Sequence, residues 1–148
     1  MKTLQIIELI TWYQEEDTQK RLSTLPLKTQ WLIRKNIKMI EPIYNNFNEF
    51  RNELIQKRNE EWFVEGNGKC DKTTSETGEE ILKIKDRYLE KFNKYDDELN
   101  SQIIEIVDED NALPDLNVID VDALIEAVDN ECTLEINDLE ALSLMGVE

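Results

Sequence analysis

The sequence IRKNIKMIEPIYNNFNEFRNEL, residues 33–54, carries the clearest structural pattern of the chain. Its large apolar residues recur every three or four positions, at Ile33, Ile37, Ile40, Tyr44, Phe47, Phe50 and Leu54. An α-helix turns once in 3.6 residues, so this spacing places all seven side chains on one stripe. We predict that the stripe is hydrophobic core and not a ligand-binding surface.

This stripe predicts a helix over residues 28–62, about 50 Å long at 1.5 Å per residue. The helix follows a connection at residues 23–26, because the residue before Pro26 is biased away from the helical conformation. Pro42 lies inside the helix, where it removes a backbone donor and clashes with an earlier carbonyl, so we expect a kink or a break. Residues 4–13 favour a short N-terminal helix, and a strand over residues 4–10 is the alternative.

A second apolar stripe follows Gly78, and its members are Ile81, Ile84, Tyr88, Phe92, Tyr95 and Leu99. We therefore predict that helix resumes after Gly78. Two amphipathic helices cannot bury their stripes alone, so they pack as an antiparallel αα-hairpin or pair with another copy. Between them, residues 65–69 form a turn. The polar run of residues 70–77 either pairs with residues 62–65 in a small β-hairpin or forms a mobile loop.

The last third of the chain mixes helix and strand signals. Residues 103–107 are read as a strand or as the end of the preceding helix, and Pro114 marks a loop. Asp120 is a good N-cap for a helix over residues 121–128. Residues 133–136 alternate like a short strand. Asn137 then caps a last helix over residues 138–145, which Gly146 ends.

The net charge of −16 is distributed unevenly along the chain. Residues 1–65 hold ten acidic and ten basic side chains, whereas residues 101–148 hold 14 acidic and no basic ones. The last basic residue is Lys94. This distribution argues against direct nucleic-acid binding, which depends on Lys and Arg displacing counterions. A basic protein surface is the partner that such a field attracts.

Several common kinds of catalytic site cannot be built from this sequence. The chain has no histidine, and two cysteines, Cys70 and Cys132, cannot complete a tetrahedral zinc site without it. Residues 108–119 begin like a calcium loop, but Leu113 and Ile119 stand where an EF-hand needs glycine and glutamate. We therefore predict no enzymatic activity, no metal site and no cofactor, with each carboxylate a solvated surface group.

The N-terminus does not read as a secretory signal. Glu8 interrupts its apolar run, and acidic residues 15–17 stand where a small-residue cleavage site would lie. No apolar stretch approaches the roughly 20 residues that a membrane span needs. We expect no membrane partner, a cytoplasmic location and two free thiols.

The order of these elements resembles a known family. The residues that carry the likeness are LPLK at 25–28, EP at 41–42, FRNELI at 50–55, residues 99–107 and INDLEAL at 136–142. Together they are similar to a family of small helical proteins of tailed bacteriophages, of unknown function. The resemblance implies a viral origin and expression in a bacterial host cell, and it transfers no catalytic residues.

We predict a mainly α protein: a long antiparallel αα-hairpin with a small, acidic α+β C-terminal part. Residues 1–148 form one domain, with an N-terminal helix and connection at 1–26, the hairpin at 27–100 and the acidic region at 101–148. The expected function is non-catalytic protein binding, in one version as an inhibitor that mimics nucleic-acid charge. The alternatives are a structural or assembly component that forms homo-oligomers, and a divalent-metal enzyme. The predicted partner-binding residues are Glu105, Asp108, Glu109, Asp110, Asp115, Asp120, Asp122, Glu126, Asp129 and Glu131.

Overall fold

The longest element is the helix α3, Leu27–Trp62, in a computed structural model that describes residues 1–113, 115–129 and 134–148. Its bounds agree with the predicted helix over residues 28–62. The helix runs without interruption through Pro42, so the prediction of a break is wrong. Proline at one position removes a single backbone donor, and the hydrogen bonds of the flanking turns keep the helix continuous.

The described chain is mainly helical, as predicted. The other elements are α1 Thr3–Gln14, α2 Glu16–Leu22, β1 Cys70–Thr74, β2 Glu80–Ile84, α4 Asp86–Val107, α5 Val121–Asp129 and α6 Ile136–Met145. The strand alternative for residues 4–10 is wrong, because they lie in α1. α2 was not predicted, since its sequence EDTQKRL has too few apolar residues to show a periodic pattern.

The contacts of the chain cluster into two compact units. The first unit comprises Met1–Asn45 and Asp108–Glu148, and the second comprises Asn46–Val107. α3 contributes residues to both. The prediction of one domain stays a prediction.

The core of the first unit combines residues from both ends of the chain. Its buried members include Ile6, Leu9 and Ile10 of α1, Ile33, Ile37 and Ile40 of α3, and Ile119, Leu124 and Leu142 from the C-terminal third. Burying one such side chain stabilises the fold by roughly 1.5–3 kcal/mol. The acidic C-terminal region is therefore part of this core and not an appendage to it.

Backbone hydrogen bonds tie the C-terminal region together and to the N-terminus. Ile119 donates its N–H to Gly146 O over 2.9 Å, and Glu148 donates to Ile119 O over 3.1 Å. Thr3 donates to Glu109 O over 3.0 Å. Gly146 ends α6 as predicted. Its φ of +95° is a backbone conformation that residues other than glycine rarely adopt.

The second unit contains a two-stranded antiparallel hairpin in which Cys70 pairs with Ile84 and Thr74 pairs with Glu80. The prediction that helix resumes after Gly78 is wrong, because residues 80–84 form β2 and α4 begins at Asp86. The alternatives of strand pairing from residues 62–65 and of a loop after Lys69 are also wrong. Ile81 and Ile84 fit a helical spacing, but residues 70–74 supply the strand that pairs with them.

An aromatic cluster forms the core of this unit. Trp62 packs edge-on against Phe92 with ring centroids 5.6 Å apart, and Phe63 packs against the same ring at 5.3 Å. The Arg58 guanidinium also donates to Asp96 over 2.9 Å.

The first apolar stripe is buried at Ile33, Ile37 and Ile40. Phe50 on the same stripe is 45% exposed, so the prediction that Phe50 is core is wrong.

The C-terminal elements differ from prediction in detail. Residues 103–107 are the end of α4 and not a strand. Ile136 opens α6 and Glu135 stands at its N-cap, so the cap predicted at Asn137 and the strand predicted at Ile136 are wrong. Thr133 and Cys132 lie outside the described residues. α5 begins where Asp120 was expected to cap it, and Asp122 donates its N–H to Asp120 Oδ1 over 3.0 Å.

Within the described ranges, no helix is long and apolar enough to cross a membrane.

Candidate interaction surfaces

Seven predicted partner-binding carboxylates lie exposed in the first unit: Asp108, Glu109, Asp110, Asp115, Asp120, Asp122 and Glu126. We call these seven residues the acidic surface. Glu105 is exposed on α4 in the second unit and is not grouped with them. Asp129 ends α5 but its side chain is not among those described, and Glu131 lies outside the described residues.

Part of the acidic surface is neutralised from within the chain. The Lys2 ammonium donates to Asp108 Oδ1 over 2.8 Å, and this hydrogen bond raises the pKa of Lys2. Among the described residues, Lys2 provides the only ion pair that reaches this surface. The other six carboxylates form no ion pair with a described basic side chain, although Lys2 also attracts Asp110 electrostatically.

The carboxylates on α5 are held by that helix. Asp120 is engaged as its N-cap, where its side chain accepts the Asp122 N–H. Asp122 and Glu126 are four residues apart, so they lie on one face. Like charges at this spacing repel each other, and a bound cation would relieve that repulsion.

A second acidic feature is concave and was not predicted. A cavity of about 660 Å³ is lined by residues of α1, α2 and α6, and five exposed carboxylates border it: Glu8, Glu15, Asp17, Glu135 and Glu140. We call it the anionic groove. Ile7, Leu9, Trp12, Ala141 and Leu144 add apolar surface to its lining. Among the described residues that line it, Arg21 is the only basic one.

Arg21 is already paired with Asp138, whose side chain is 0% exposed. Arg21 Nε donates to Asp138 Oδ2 over 2.8 Å and its Nη2 donates to Oδ1 over 3.0 Å, which is the two-pronged geometry favoured by Arg and a carboxylate. Trp12 Nε1 donates to Oδ1 over 2.8 Å, and the Glu135 N–H donates to Oδ2 over 2.8 Å. The prediction that every carboxylate is a solvated surface group is wrong for Asp138.

These contacts decide the charge of the buried carboxyl. Burial alone raises the pKa of Asp138. The hydrogen bonds that it accepts from Arg21, the Glu135 backbone and Trp12 lower the pKa, and so does the positive charge of Arg21. Together they outweigh burial, so the pKa of Asp138 lies below its ordinary value. The same contact with Asp138 raises the pKa of Arg21. The pair therefore stays ionised, and it joins α1, α2 and α6 beside the groove.

The sequence held only a weak signal for this network. Trp12, Arg21 and Asp138 are separated by up to 126 residues, and none stands in a recognisable motif. Glu135 and Asp138 do have the three-residue spacing of a capping interaction, which places Asp138 at the first turn of α6.

The chemistry of the other candidate groups is limited. Among the described residues, no group of three or more His, Cys, Asp or Glu side chains could hold a metal ion. Cys70 is a buried free thiol whose Sγ lies 3.4 Å from Val64 O. The same Sγ lies 3.6 Å from Asn67 Oδ1.

Comparison with protein-family models found no match, and comparisons with curated proteins and with solved structures found none either. The resemblance to tailed-bacteriophage proteins therefore stays a prediction.

Proposed function

We propose that this chain is a non-catalytic protein-binding module of phage type that docks its acidic surface on a basic surface of a host or viral protein. The observation that carries the proposal is the exposure of seven carboxylates in a folded unit, of which, among the described residues, Asp108 alone forms an ion pair. In one version the module imitates nucleic-acid charge and occupies the groove of a nucleic-acid-binding protein. We place it in the cytoplasm of the host cell.

The physical basis of the proposal is preorganisation. α5 and the hydrogen-bonded segments around Ile119 hold the carboxylates in place before any partner arrives. Their mutual repulsion is a cost already present in the free protein, so an arriving cationic surface gains its full Coulombic attraction. Such attraction accelerates association and weakens as salt shortens the Debye length to about 8 Å at 0.15 M.

The anionic groove defines the partner more closely. Its carboxylates border an apolar lining, so the segment that fits it carries an apolar side chain flanked by Lys or Arg. A rim of charge around an apolar centre is the usual organisation of protein interfaces. We also propose that α3 and α4 form the antiparallel αα-hairpin of the second unit, supported by the Trp62–Phe92 and Arg58–Asp96 contacts.

The test is capture of host proteins by two charge variants with the same net charge. The first variant changes five residues of the acidic surface to amides: Glu109, Asp110, Asp115, Asp122 and Glu126. The matched control changes five exposed glutamates of the second unit to glutamine: Glu49, Glu53, Glu76, Glu79 and Glu90. Asp120 is left unchanged because it caps α5.

We expect the wild type and the control to retain the same basic protein at 50 mM salt and to release it at 500 mM, whereas the surface variant retains none. Equal retention by all three proteins, or binding that is indifferent to salt, would refute the proposal. Circular dichroism of each variant confirms that the fold is intact.

One observation favours a second candidate, a structural or assembly role through helical oligomerisation. Phe50, on the first predicted stripe, is 45% exposed, and Ile104 on α4 is also well exposed. Apolar side chains left on two long helices are what a homo-oligomer would cover. Light scattering at high protein concentration tests it: a concentration-dependent oligomer lost in Phe50→Ser and Ile104→Ser variants supports assembly, and a monodisperse monomer counts against it.

A further inference from the structure

The first half of α3 is basic, whereas the molecule as a whole is strongly acidic. Residues 18–40 contain six basic side chains and no acidic one, in a chain whose net charge is −16. Four of the six, Lys28, Arg34, Lys35 and Lys38, are exposed along the first half of α3. Trp31 lies among them and is 55% exposed, whereas Trp12 and Trp62 are buried.

This face lines a cavity of about 460 Å³ with walls from two segments of the first unit. α3 supplies Trp31, Arg34, Lys35, Lys38 and Met39, and the segment before α5 supplies Asp115 and Asn117. Cavities that hold small ligands run from about 300 to 1,000 Å³, so this cavity is of a suitable size.

The second wall is held in place by a buried amide. Asn36 is fully buried on α3, and its Nδ2 donates to Asn117 O over 2.8 Å. Its Oδ1 accepts the Asn117 backbone N–H over 2.7 Å and the Asn117 side-chain amide over 3.1 Å. Three hydrogen bonds therefore fix the Asn117 backbone and side chain against α3, and the cavity is preorganised on both sides.

Of the three basic side chains that line the cavity, only Lys38 is in an ion pair with a described carboxylate. Lys38 pairs with Glu41 over 3.2 Å, and the Lys35 ammonium lies 5.5 Å from the centroid of the Trp31 ring. Within the described part of the chain, neither Arg34 nor Lys35 has a carboxylate partner. A guanidinium and two ammonium groups beside an exposed indole form a combination that suits a ligand with both an anionic group and a flat aromatic ring.

We propose that this cavity is a binding site for a small nucleotide-type ligand. The base stacks on Trp31, and the phosphate is held by Arg34, Lys35 and Lys38. Asp115 offers a carboxylate acceptor to an amino group of the base or a hydroxyl of the ribose. The site shares Asp115 with the acidic surface but does not depend on the function proposed for that surface.

Two features favour a small ligand over a polyanion. Asp115 in the cavity wall would repel a ligand whose polar groups are all anionic, such as an acidic peptide. A nucleic-acid strand carries a charge at every nucleotide and would meet the strongly negative remainder of the molecule. A mononucleotide presents few charges and supplies donors to Asp115.

The test is calorimetric titration of the full chain with adenosine monophosphate and diphosphate at low salt, together with tryptophan fluorescence. We expect both nucleotides to bind and to quench emission, because Trp31 is the one exposed tryptophan of the three. Trp31→Ala should weaken binding by roughly tenfold or more and abolish the quenching. Arg34→Ala with Lys35→Ala should weaken binding by at least about tenfold.

Arg51→Ala with Lys57→Ala is the matched control, since it removes two exposed charges from the same helix. We expect it to leave the affinity unchanged, and we expect adenosine or inorganic phosphate alone to bind at least about tenfold more weakly than the nucleotide. Absence of binding at about 5 mM nucleotide, or equal loss in the control variant, overturns the proposal. So does a thymidine octanucleotide or an acidic peptide that binds more tightly than the mononucleotides, because the site would then serve a strand or a protein.

Discussion

Replacing Asp138 by asparagine tests the buried ion pair of the first unit. The substitution keeps the size of the side chain and removes its charge. If the remaining oxygen accepts the Trp12 N–H, the amide NH₂ occupies the position of Oδ2 and faces both the Arg21 Nε–H and the Glu135 N–H, which are donors. The Arg21 side chain is only 15% exposed, so water cannot fully replace the lost partner.

The structure sets the size of the effect. Removing one member of a buried pair costs about 3–5 kcal/mol. We expect the lower half of that range, because the Glu135 carboxylate lies 3.7 Å from Arg21 Nη1 and partly compensates the stranded charge. Domains are stable by only about 5–15 kcal/mol, so a loss of this size should be readily measured in the free energy of unfolding.

Urea unfolding followed by circular dichroism measures the change. With a slope of about 2 kcal/mol per M, the midpoint should fall by roughly 1.5–2 M. Glu16→Gln is the control: it breaks the exposed Lys20–Glu16 pair and should change stability by less than about 0.5 kcal/mol. A cycle with Arg21→Met isolates the coupling between the two groups. If Asp138→Asn costs no more than the control, the account of this network is wrong.

Trp12→Phe should destabilise the protein by about 1–3 kcal/mol more than Trp62→Phe in the same urea assay, because Trp12 donates to Asp138, whereas the Trp62 N–H has no acceptor among the described residues. Equal costs would contradict this. Gly146→Ala should lower the free energy of unfolding by about 1–2 kcal/mol, since φ +95° is unfavourable for alanine. An unchanged thermal midpoint would argue against the positive φ at Gly146. The lowered pKa of Asp138 means that its contribution is complete above about pH 4 and is lost as pH falls through the folded pKa, so wild type should lose stability in that window faster than Asp138→Asn. Parallel pH profiles would count against it.

Local periodicity was sufficient to predict the long helix and the burial of three of the seven residues on its apolar stripe. The spacing of Ile33, Ile37 and Ile40 predicted both α3 and the core that these residues enter. The same spacing failed at Phe50, because a stripe becomes core only where another element covers it. It also failed at Ile81 and Ile84, whose strand depends on pairing with residues 70–74.

The candidate surfaces divide in a similar way. Exposed carboxylates such as Asp122 and Glu126 could be named from the sequence, because a purely acidic segment must leave most of its charges in water. The anionic groove could not be predicted, since α1, α2 and α6 come from opposite ends of the chain. The run of residues 18–40, which lacks acidic side chains, indicated a basic surface on α3. No sequence pattern indicated that Asn117 would form the second wall of the cavity there.

The sequence by itself determined the mainly helical class, the length of α3, the caps at Asp120 and Gly146, and the concentration of negative charge after Lys94. These features depend on neighbours within a few residues, or on composition alone. Tertiary structure decided that Asp138 is buried and ionised, that the two ends of the chain share one core, and which charged groups line a common cavity. Those outcomes depend on contacts between distant segments, whose free energies no local pattern records.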